Sequence, residues 1–561
     1  MRALSQLLAF LQVSDAQVAL YSAEMTRPGE KAQGWHPDWD RTITGLRARA
    51  DRVPENGGFV ALPGERHHGA EFSDQALAAG ARLVITDAVG QTHFDQAWSK
   101  WASAGPKHKQ AVVLITLSEP LNARRQNELA NWFYHRPSQS IKLLGVTGTN
   151  GKTSVAQFAA QLLSAHGDKV GLIGTLGMGF WQSGHWQGEA SLNTTPEAFE
   201  LNATLADWRD RNLRTAVMEV SSHAIELGRI AGLRFHALAL TQVTQDHLDF
   251  HGSLGAYQAA KKRLFTDWPA EYWVLNLDDA LGRTLQQQAG TQDKAPEVIG
   301  YGHAPCPEAT ITLQSARACP TGWEMALALG TDHWSTTLGL MGAFQLDNVM
   351  CALGLVRTLT HELSEDDLTS LSAVPGRMQR VAPPEGLTGP VVLVDYAHTA
   401  DGLQAALTGA RAHLPQTGQL WAVFGCGGNR DVGKRAQMGQ VAAQNADQIV
   451  ITDDNPRRES PQVITDAIMQ GVCAVLGEEA EQNATVIHDR QAAIDFAVAQ
   501  AQTTDVIVVA GKGHETTQET GWEKHSFYDP EAVTIAYQKR REQQRKQRSQ
   551  QHRRGNDCVD T

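Results

Sequence analysis

The chain has 561 residues, a formal net charge of −12 and an apolar fraction of 42%. That length exceeds one hydrophobic core and predicts about three to four domains. The acidic balance argues against a nucleic-acid partner, and no apolar run approaches the roughly 18 residues of a membrane span, so the expectation is a cytoplasmic, monomeric protein. Six cysteines, none in C-x-x-C spacing, read as core or incidental thiols and not as a disulfide framework or zinc site.

Residues 1–138 predict a small α/β unit. It has a strand at Phe59–Leu62 running into the Pro63-Gly64 turn, a helix at Phe72–Gly80, and strands at Arg82–Thr86 and Val112–Leu117. His135-Arg136-Pro137-Ser138 reads as a linker, because proline disfavours helix at the preceding residue.

Residues 139–373 predict a mainly parallel sheet. The apolar run Ile141–Val146 leads into Thr147-Gly148-Thr149-Asn150-Gly151-Lys152-Thr153, and a helix follows from near Ser154. Strand, glycine turn and helix start form a phosphate cradle: Gly148, Thr149, Asn150 and Gly151 offer backbone N–H groups, Lys152 neutralises charge, and the Thr153 hydroxyl suits Mg²⁺. Val146 stands where the common G-x-x-x-x-G-K-[ST] pattern has its first glycine. Further strands are expected at Thr215–Val220, Ala237–Val243 and Trp273–Leu277, with helices at Pro196–Arg211 and Leu254–Phe265 between them. A nucleoside triphosphate, ATP in the reading below, is the implied ligand.

Residues 374–540 predict a doubly wound unit. Four apolar strands end in polar or glycine-rich turns: Asp395-Tyr396-Ala397-His398, Gly425-Cys426-Gly427-Gly428, Asp453-Asp454-Asn455-Pro456-Arg457 and Gly511-Lys512-Gly513-His514-Glu515. In such a sheet those turns share the carboxyl edge, where ligands bind. Residues 541–561 belong to a basic tail expected to be disordered.

Glu219 follows a strand, so its carboxylate is placed to hold Mg²⁺ near the phosphate loop, and Thr244–Gly252 gathers further metal or base candidates including His247. Tyr257–Phe265 reads from its residues alone as a helix with a solvated basic face.

Taken together, the ordered segments T-G-T-N-G-K-T, E-V-S-S-H, D-H-L-D-F-H-G, Y-x-x-A-K, V-P-G-R-M, D-Y-A-H-T, G-C-G-G-N-R-D and G-K-G-H-E resemble the Mur ligases, the ATP-dependent amino-acid ligases of bacterial peptidoglycan synthesis. The similarity spans roughly residues 50–535 and is strongest to the members that add the third residue of the stem peptide. It implies an N-terminal UDP-binding domain, a central P-loop ATPase and a C-terminal Rossmann-like amino-acid domain. It implies that Lys152, Lys261 and His247 are catalytic, with Lys261 carbamylated, and that Thr153, Glu219, His247 and Lys261 serve the metal. Asn348, Arg377, Asp395 and His398 match further ATP contacts. Thr194, Thr195, Ser221 and Arg229 match positions that hold UDP-MurNAc-L-Ala-D-Glu.

D-N-P-R resembles the meso-diaminopimelate enzymes, and Asp454, Asn455, Arg457, Arg430, Gly511 and Glu515 are the implied pocket. The chemistry agrees. Diaminopimelate carries a carboxylate that lysine lacks, and a guanidinium can clamp it with two charge-assisted bonds. Glu515 suits the distal ammonium. Transfer of the ATP γ-phosphoryl would make an acyl phosphate for the amine to attack, and domain closure is expected during turnover.

Some positions depart from the family pattern. Arg49-Ala50-Asp51-Arg52 stands where D-S-R is usual, Gln242 and Gln345 replace asparagines, Ala400 replaces proline, and Leu227 stands where a polar residue is common. The alternatives are a lysine-adding or otherwise altered Mur-type ligase, a non-catalytic nucleotide-binding relative, and a folylpolyglutamate synthetase-like enzyme.

Overall fold

The computed structural model describes residues 1–22, 31–64, 67–103, 111–244, 248–290, 295–360 and 362–557. They form two compact units, one of residues 1–152 with 163–299, the other of residues 153–162 with 300–561.

Among its described residues the first unit holds two larger sheets and a short antiparallel pair, Arg2–Ala3 with Thr42–Ile43. The N-terminal sheet has six strands in the order Lys31–Gln33, Val18–Tyr21, Val112–Leu117, Leu83–Asp87, Gly58–Val60 and Leu46–Arg47. Its last three pairings are parallel and its first two antiparallel. Side chains alternate across it: Val113 and Ile115 join Leu4, Leu7, Leu129 and Phe133 on one face, while Val112 and Leu114 join Phe59, Phe94 and Trp98 on the other.

The second sheet of this unit runs His185–Glu189, Gly177–Gln182, Val170–Gly174, Thr215–Glu219, Lys142–Thr147, Ala237–Leu240 and Tyr272–Asn276. The last five strands are parallel where paired. The phosphate-loop strand Lys142–Thr147 is therefore flanked by the strands that end at Glu219 and Leu240, so both carboxyl ends open beside the loop. Its core strands are buried on both faces, as a helix-covered parallel sheet requires.

The second unit carries an antiparallel meander, Ile311–Cys319, Gly322–Leu329 and Asp332–Leu338, that the sequence reading did not anticipate. Beyond it lies a six-stranded sheet in the order Gln379–Val381, Val391–Asp395, Val506–Ala510, Leu420–Phe424, Gln448–Ile451 and Ala484–Val486. All its pairings are parallel except the first. Leu393, Ala422, Phe424 and Val508 pack on one face, Val392, Val394, Val423 and Val509 on the other. A two-stranded hairpin, Thr517–Thr520 with Glu523–Ser526, follows the last parallel strand.

The last helix is Asp529–Asp557.

Candidate active site

The phosphate loop is shaped by backbone. Gly148 has φ +150° and a Cβ there would overlap the Thr241 hydroxyl; Gly151, at φ +86°, caps the helix Lys152–Ala165. The Thr149 N–H donates to the Gln242 carbonyl at 2.7 Å, its hydroxyl to the Thr244 carbonyl at 3.0 Å, and the Thr241 hydroxyl to the Asn150 carbonyl at 2.6 Å. The Gln242 departure is harmless to this geometry, because only its main chain is used.

Two ammonium groups meet at one carbonyl. Lys152 Nζ donates to Gly148 O at 2.9 Å and Thr149 O at 2.8 Å; Lys261 Nζ donates to the same Gly148 O at 2.7 Å. Lys261 is only 1% exposed and lies 4.5 Å from the Tyr257 ring centroid. The basic-face reading of this helix is thus corrected: Tyr257 and Lys261, one turn apart, share its buried side, and Arg263 is the exposed cation. Tyr257 also donates its hydroxyl to Thr149 Oγ1 at 3.2 Å. Two cations at the loop make it a site for an anion. Thr153 is buried in the first turn of the following helix. His247 lies outside the described residues.

Glu219 ends the neighbouring strand, buried, its Oε1 accepting from the Thr175 N–H at 2.8 Å and its Oε2 from the Thr175 hydroxyl at 3.2 Å. Around it the chain gathers all four expected substrate residues. Thr194 Oγ1 is 3.1 Å from Thr175 Oγ1, Thr195 Oγ1 donates to Glu219 O at 2.8 Å, the Ser221 N–H donates to Thr195 Oγ1 at 3.1 Å, and Arg229 Nη1 donates to Thr195 O at 3.2 Å. Ser221 caps the helix Ser222–Glu226. Nearby, Arg47, Arg49, Arg52, Asn193 and Glu197 line a cleft in which Arg49 pairs with Asp51 at 2.7 Å. The residues standing for D-S-R are therefore an internally paired Arg-Ala-Asp.

In the second unit the expected nucleotide residues form their own group. Asn348 Nδ2 donates to Gln345 Oε1 at 2.9 Å, and the longer Gln345 reaches the Arg377 carbonyl at 3.5 Å. The Arg377 guanidinium lies 4.9 Å from the Tyr396 ring centroid. Asp395 is buried and accepts from the Met378 and Ala397 N–H groups at 2.7 and 2.8 Å; burial still pushes its carboxyl above the usual range, against the pull of Arg377. His398 contacts the Tyr396 carbonyl at 3.0 Å. Ala400 opens a helix capped by Thr399, a position where proline is also tolerated.

Of the expected amino-acid residues, Asp454, Asn455 and Glu515 meet at the carboxyl edge of the C-terminal sheet. Lys512, fully buried, donates to Glu515 Oε2 at 3.1 Å, Asn455 Oδ1 at 3.3 Å and the Thr517 carbonyl at 2.7 Å, and lies 3.9 Å from Asp454. Asn455 Nδ2 bridges Glu515 at 2.9 Å and Asp454 at 3.3 Å. Gly511, at φ +116°, passes close against the Asp454 carboxylate. Burial pushes the Asp454 carboxyl upwards, with Arg490 and Lys512 opposing. Beneath the turn, Arg490 and Asp529 form a fully buried two-bond ion pair at 2.8 Å, and Arg490 Nη2 holds the Ala510 carbonyl at 3.0 Å. Arg430 is exposed. Arg457, expected to clamp a carboxylate, has protein partners of its own: Nε pairs with Glu519 at 2.9 Å and Nη1 donates to the Gly428 carbonyl at 3.0 Å. A half-buried guanidinium takes a permanent carboxylate partner when a facing strand supplies one.

Thr175, Thr241, Tyr257, Lys512 and Glu519 were not singled out from sequence. Lys512 had a signal in its place in a glycine turn after an apolar strand, and Tyr257 in opening the Y-x-x-A-K segment.

Comparison with known proteins shows the family of the chain. The Mur ligase middle domain matches residues 146–356, and the Mur ligase, glutamate ligase domain matches residues 376–513. A UDP-N-acetylmuramoyl-L-alanyl-D-glutamate–2,6-diaminopimelate ligase of Alkalilimnicola ehrlichii is 40% identical over 504 residues, covering 89% of this chain and 95% of its own. The protein of that name from Ectopseudomonas mendocina is 39% identical, covering 84% and 90%. A solved structure of an enzyme of the same name superposes with TM-score 0.60 at 29% identity, over 93% of this chain and 99% of its own. The chain belongs to the Mur ligase family.

Proposed function

We propose that the protein is the ATP-dependent ligase that adds meso-diaminopimelate to UDP-MurNAc-L-Ala-D-Glu in peptidoglycan synthesis, working as a cytoplasmic monomer. The observation that carries the amino-acid choice is the turn in which Asp454, Asn455 and Glu515 hold buried Lys512, with Arg457 two residues after Asn455 paired to Glu519. It offers carboxylates for ammonium groups and a guanidinium for a carboxylate, the pairing that an amino acid with two of each demands. The names of the relatives support the same substrate.

Lys152 and the loop N–H groups of Gly148–Gly151 would bind the ATP phosphates, with Asn348, Arg377, Asp395 and His398 as further nucleotide contacts. Thr194, Thr195, Ser221 and Arg229 would hold the muramoyl dipeptide. Mg²⁺ takes one or two carboxylates besides phosphate oxygens and water; Glu219 and the Thr153 hydroxyl would supply oxygens, with His247 and, once carbamylated, Lys261 as the further residues of the set. When bound, the ion would neutralise charge on the transferring phosphoryl group. We further propose that Lys261 is carbamylated, its ammonium becoming an oxygen donor beside the loop. The γ-phosphoryl passes to the side-chain carboxylate of D-Glu, giving ADP and an acyl phosphate. The free amine attacks that carbonyl, an amide forms, inorganic phosphate leaves, and the amine's proton goes to solvent or a nearby base.

The test is phosphate release from ATP with the UDP-dipeptide and one amino acid at a time. Release with meso-diaminopimelate and not with L-lysine is expected. Equal release with lysine would refute the assigned pocket, and release with neither would refute the ligase reading.

A further inference from the structure

The hairpin Thr517–Ser526 is sewn to the D-N-P-R turn by contacts that nothing above uses. Gln518 donates to the Asp453 and Asp454 carbonyls at 3.2 and 2.8 Å, and the Glu519 N–H donates to Asn455 Oδ1 at 2.9 Å. The main chains of Arg457 and the hairpin exchange two bonds, Arg457 N to Glu519 O at 3.0 Å and Gly521 N to Arg457 O at 2.6 Å. These hold Arg457 at φ +51°, a conformation that non-glycine residues avoid without support. At the hairpin tip, highly exposed Trp522 lies 4.2 Å from the Arg458 guanidinium.

The side chains form a relay of alternating charge. Lys524 Nζ contacts Glu519 Oε1 at 2.8 Å, and Glu519 Oε2 contacts Arg457 Nε at 2.9 Å. Lys524 first, and then Arg457, hold the Glu519 carboxyl below the usual range, so it stays ionised. With Nε taken by Glu519 and Nη1 by the Gly428 carbonyl, Nη2 is the nitrogen left without a hydrogen bond among the described residues.

We infer that Glu519, backed by Lys524, is a positioning residue for amino-acid selectivity: it fixes the Arg457 guanidinium so that its Nη2 side receives the distal carboxylate of the incoming diaminodicarboxylic acid. This rests on the diaminopimelate reading and adds a residue to it. A freely rotating arginine would lose ordering entropy on each binding event and discriminate less between an amino acid with the second carboxylate and one without it.

The experiment is steady-state kinetics of the full chain and its Glu519→Gln, Glu519→Asp and Lys524→Met variants, with meso-diaminopimelate and L-lysine, alongside KM for ATP and a melting curve. Glu519→Gln should raise KM for diaminopimelate about tenfold and reduce the preference over lysine by a similar factor, with KM for ATP within about twofold. Glu519→Asp should recover most of the preference, and Lys524→Met should shift it in the same direction by less. An unchanged amino-acid KM and preference in Glu519→Gln would overturn the inference. So would a lower KM, which would make Glu519 a competitor for Arg457, or a parallel rise in KM for ATP, which would make it merely structural. If Glu519→Gln does not fold, an unaltered preference in Lys524→Met overturns it. Wild-type protein that ligates neither amino acid refutes the functional reading itself and this inference with it; wild type selective for diaminopimelate alongside an unaffected Glu519→Gln refutes this inference alone.

Discussion

The phosphate loop and the proposed amino-acid pocket both hold charged side chains in fixed places, by different means. At the loop, geometry comes from main chain: a glycine against Thr241, carbonyls that seat two lysines, and N–H groups at a helix start. In the pocket, geometry comes from side chains that hold one another, with Lys512 inside a ring of Asp454, Asn455 and Glu515, and Arg457 steadied by Glu519. A backbone site tolerates side-chain drift, as Gln242 illustrates, whereas a side-chain network is altered by each member it loses.

Four variants sharpen that contrast. The largest effect is expected beneath the pocket, where Arg490→Met leaves Asp529 buried without its partner; the second unit should lose about 3–5 kcal/mol, read from the denaturant midpoint. At the loop, Lys261→Ala should lower kcat by about 10²–10³-fold with the melting temperature little changed, and bicarbonate should not restore it; full activity would remove Lys261 from the mechanism. His514 supplies a pH signature on the pocket side, added to those of His135, His398 and His413, which burial also pushes down. Burial, then Arg377, pushes the His514 imidazole down to about 4. The unfolded chain takes up the proton near pH 6.5 and the folded chain does not, so stability present above that pH is lost as pH falls towards 4, by about 3 kcal/mol. His514→Asn should flatten that window. Gly148→Ala should cost the loop about 1–3 kcal/mol, seen as weaker ATP binding, because its φ and the Thr241 hydroxyl both oppose a Cβ.

The same contrast explains what could be read from sequence. Lys142–Thr147, the glycine turn and the helix after it follow from local apolar pattern and turn chemistry, as do the four strand-end turns of the C-terminal sheet. The meander Ile311–Leu338 escaped because exposed Gln, Ser, Arg and Glu residues break its alternation. Lys261 read as part of a solvated face; only the resemblance drew it to the loop, since nothing in its helix reports that Gly148 lies opposite. Glu519 and Arg457 are 62 residues apart, and Thr175 and Glu219 are 44 apart. Such pairs exist only once topology has brought their segments together.

The most direct test of the central claim is a competition. The wild-type enzyme is given ATP, the UDP-dipeptide and equimolar meso-diaminopimelate and L-lysine, and the products are weighed by mass spectrometry. The account predicts the diaminopimelate-containing tripeptide almost alone, with one ADP formed per amide. A mixture of the two tripeptides, or the lysine product in excess, would contradict it.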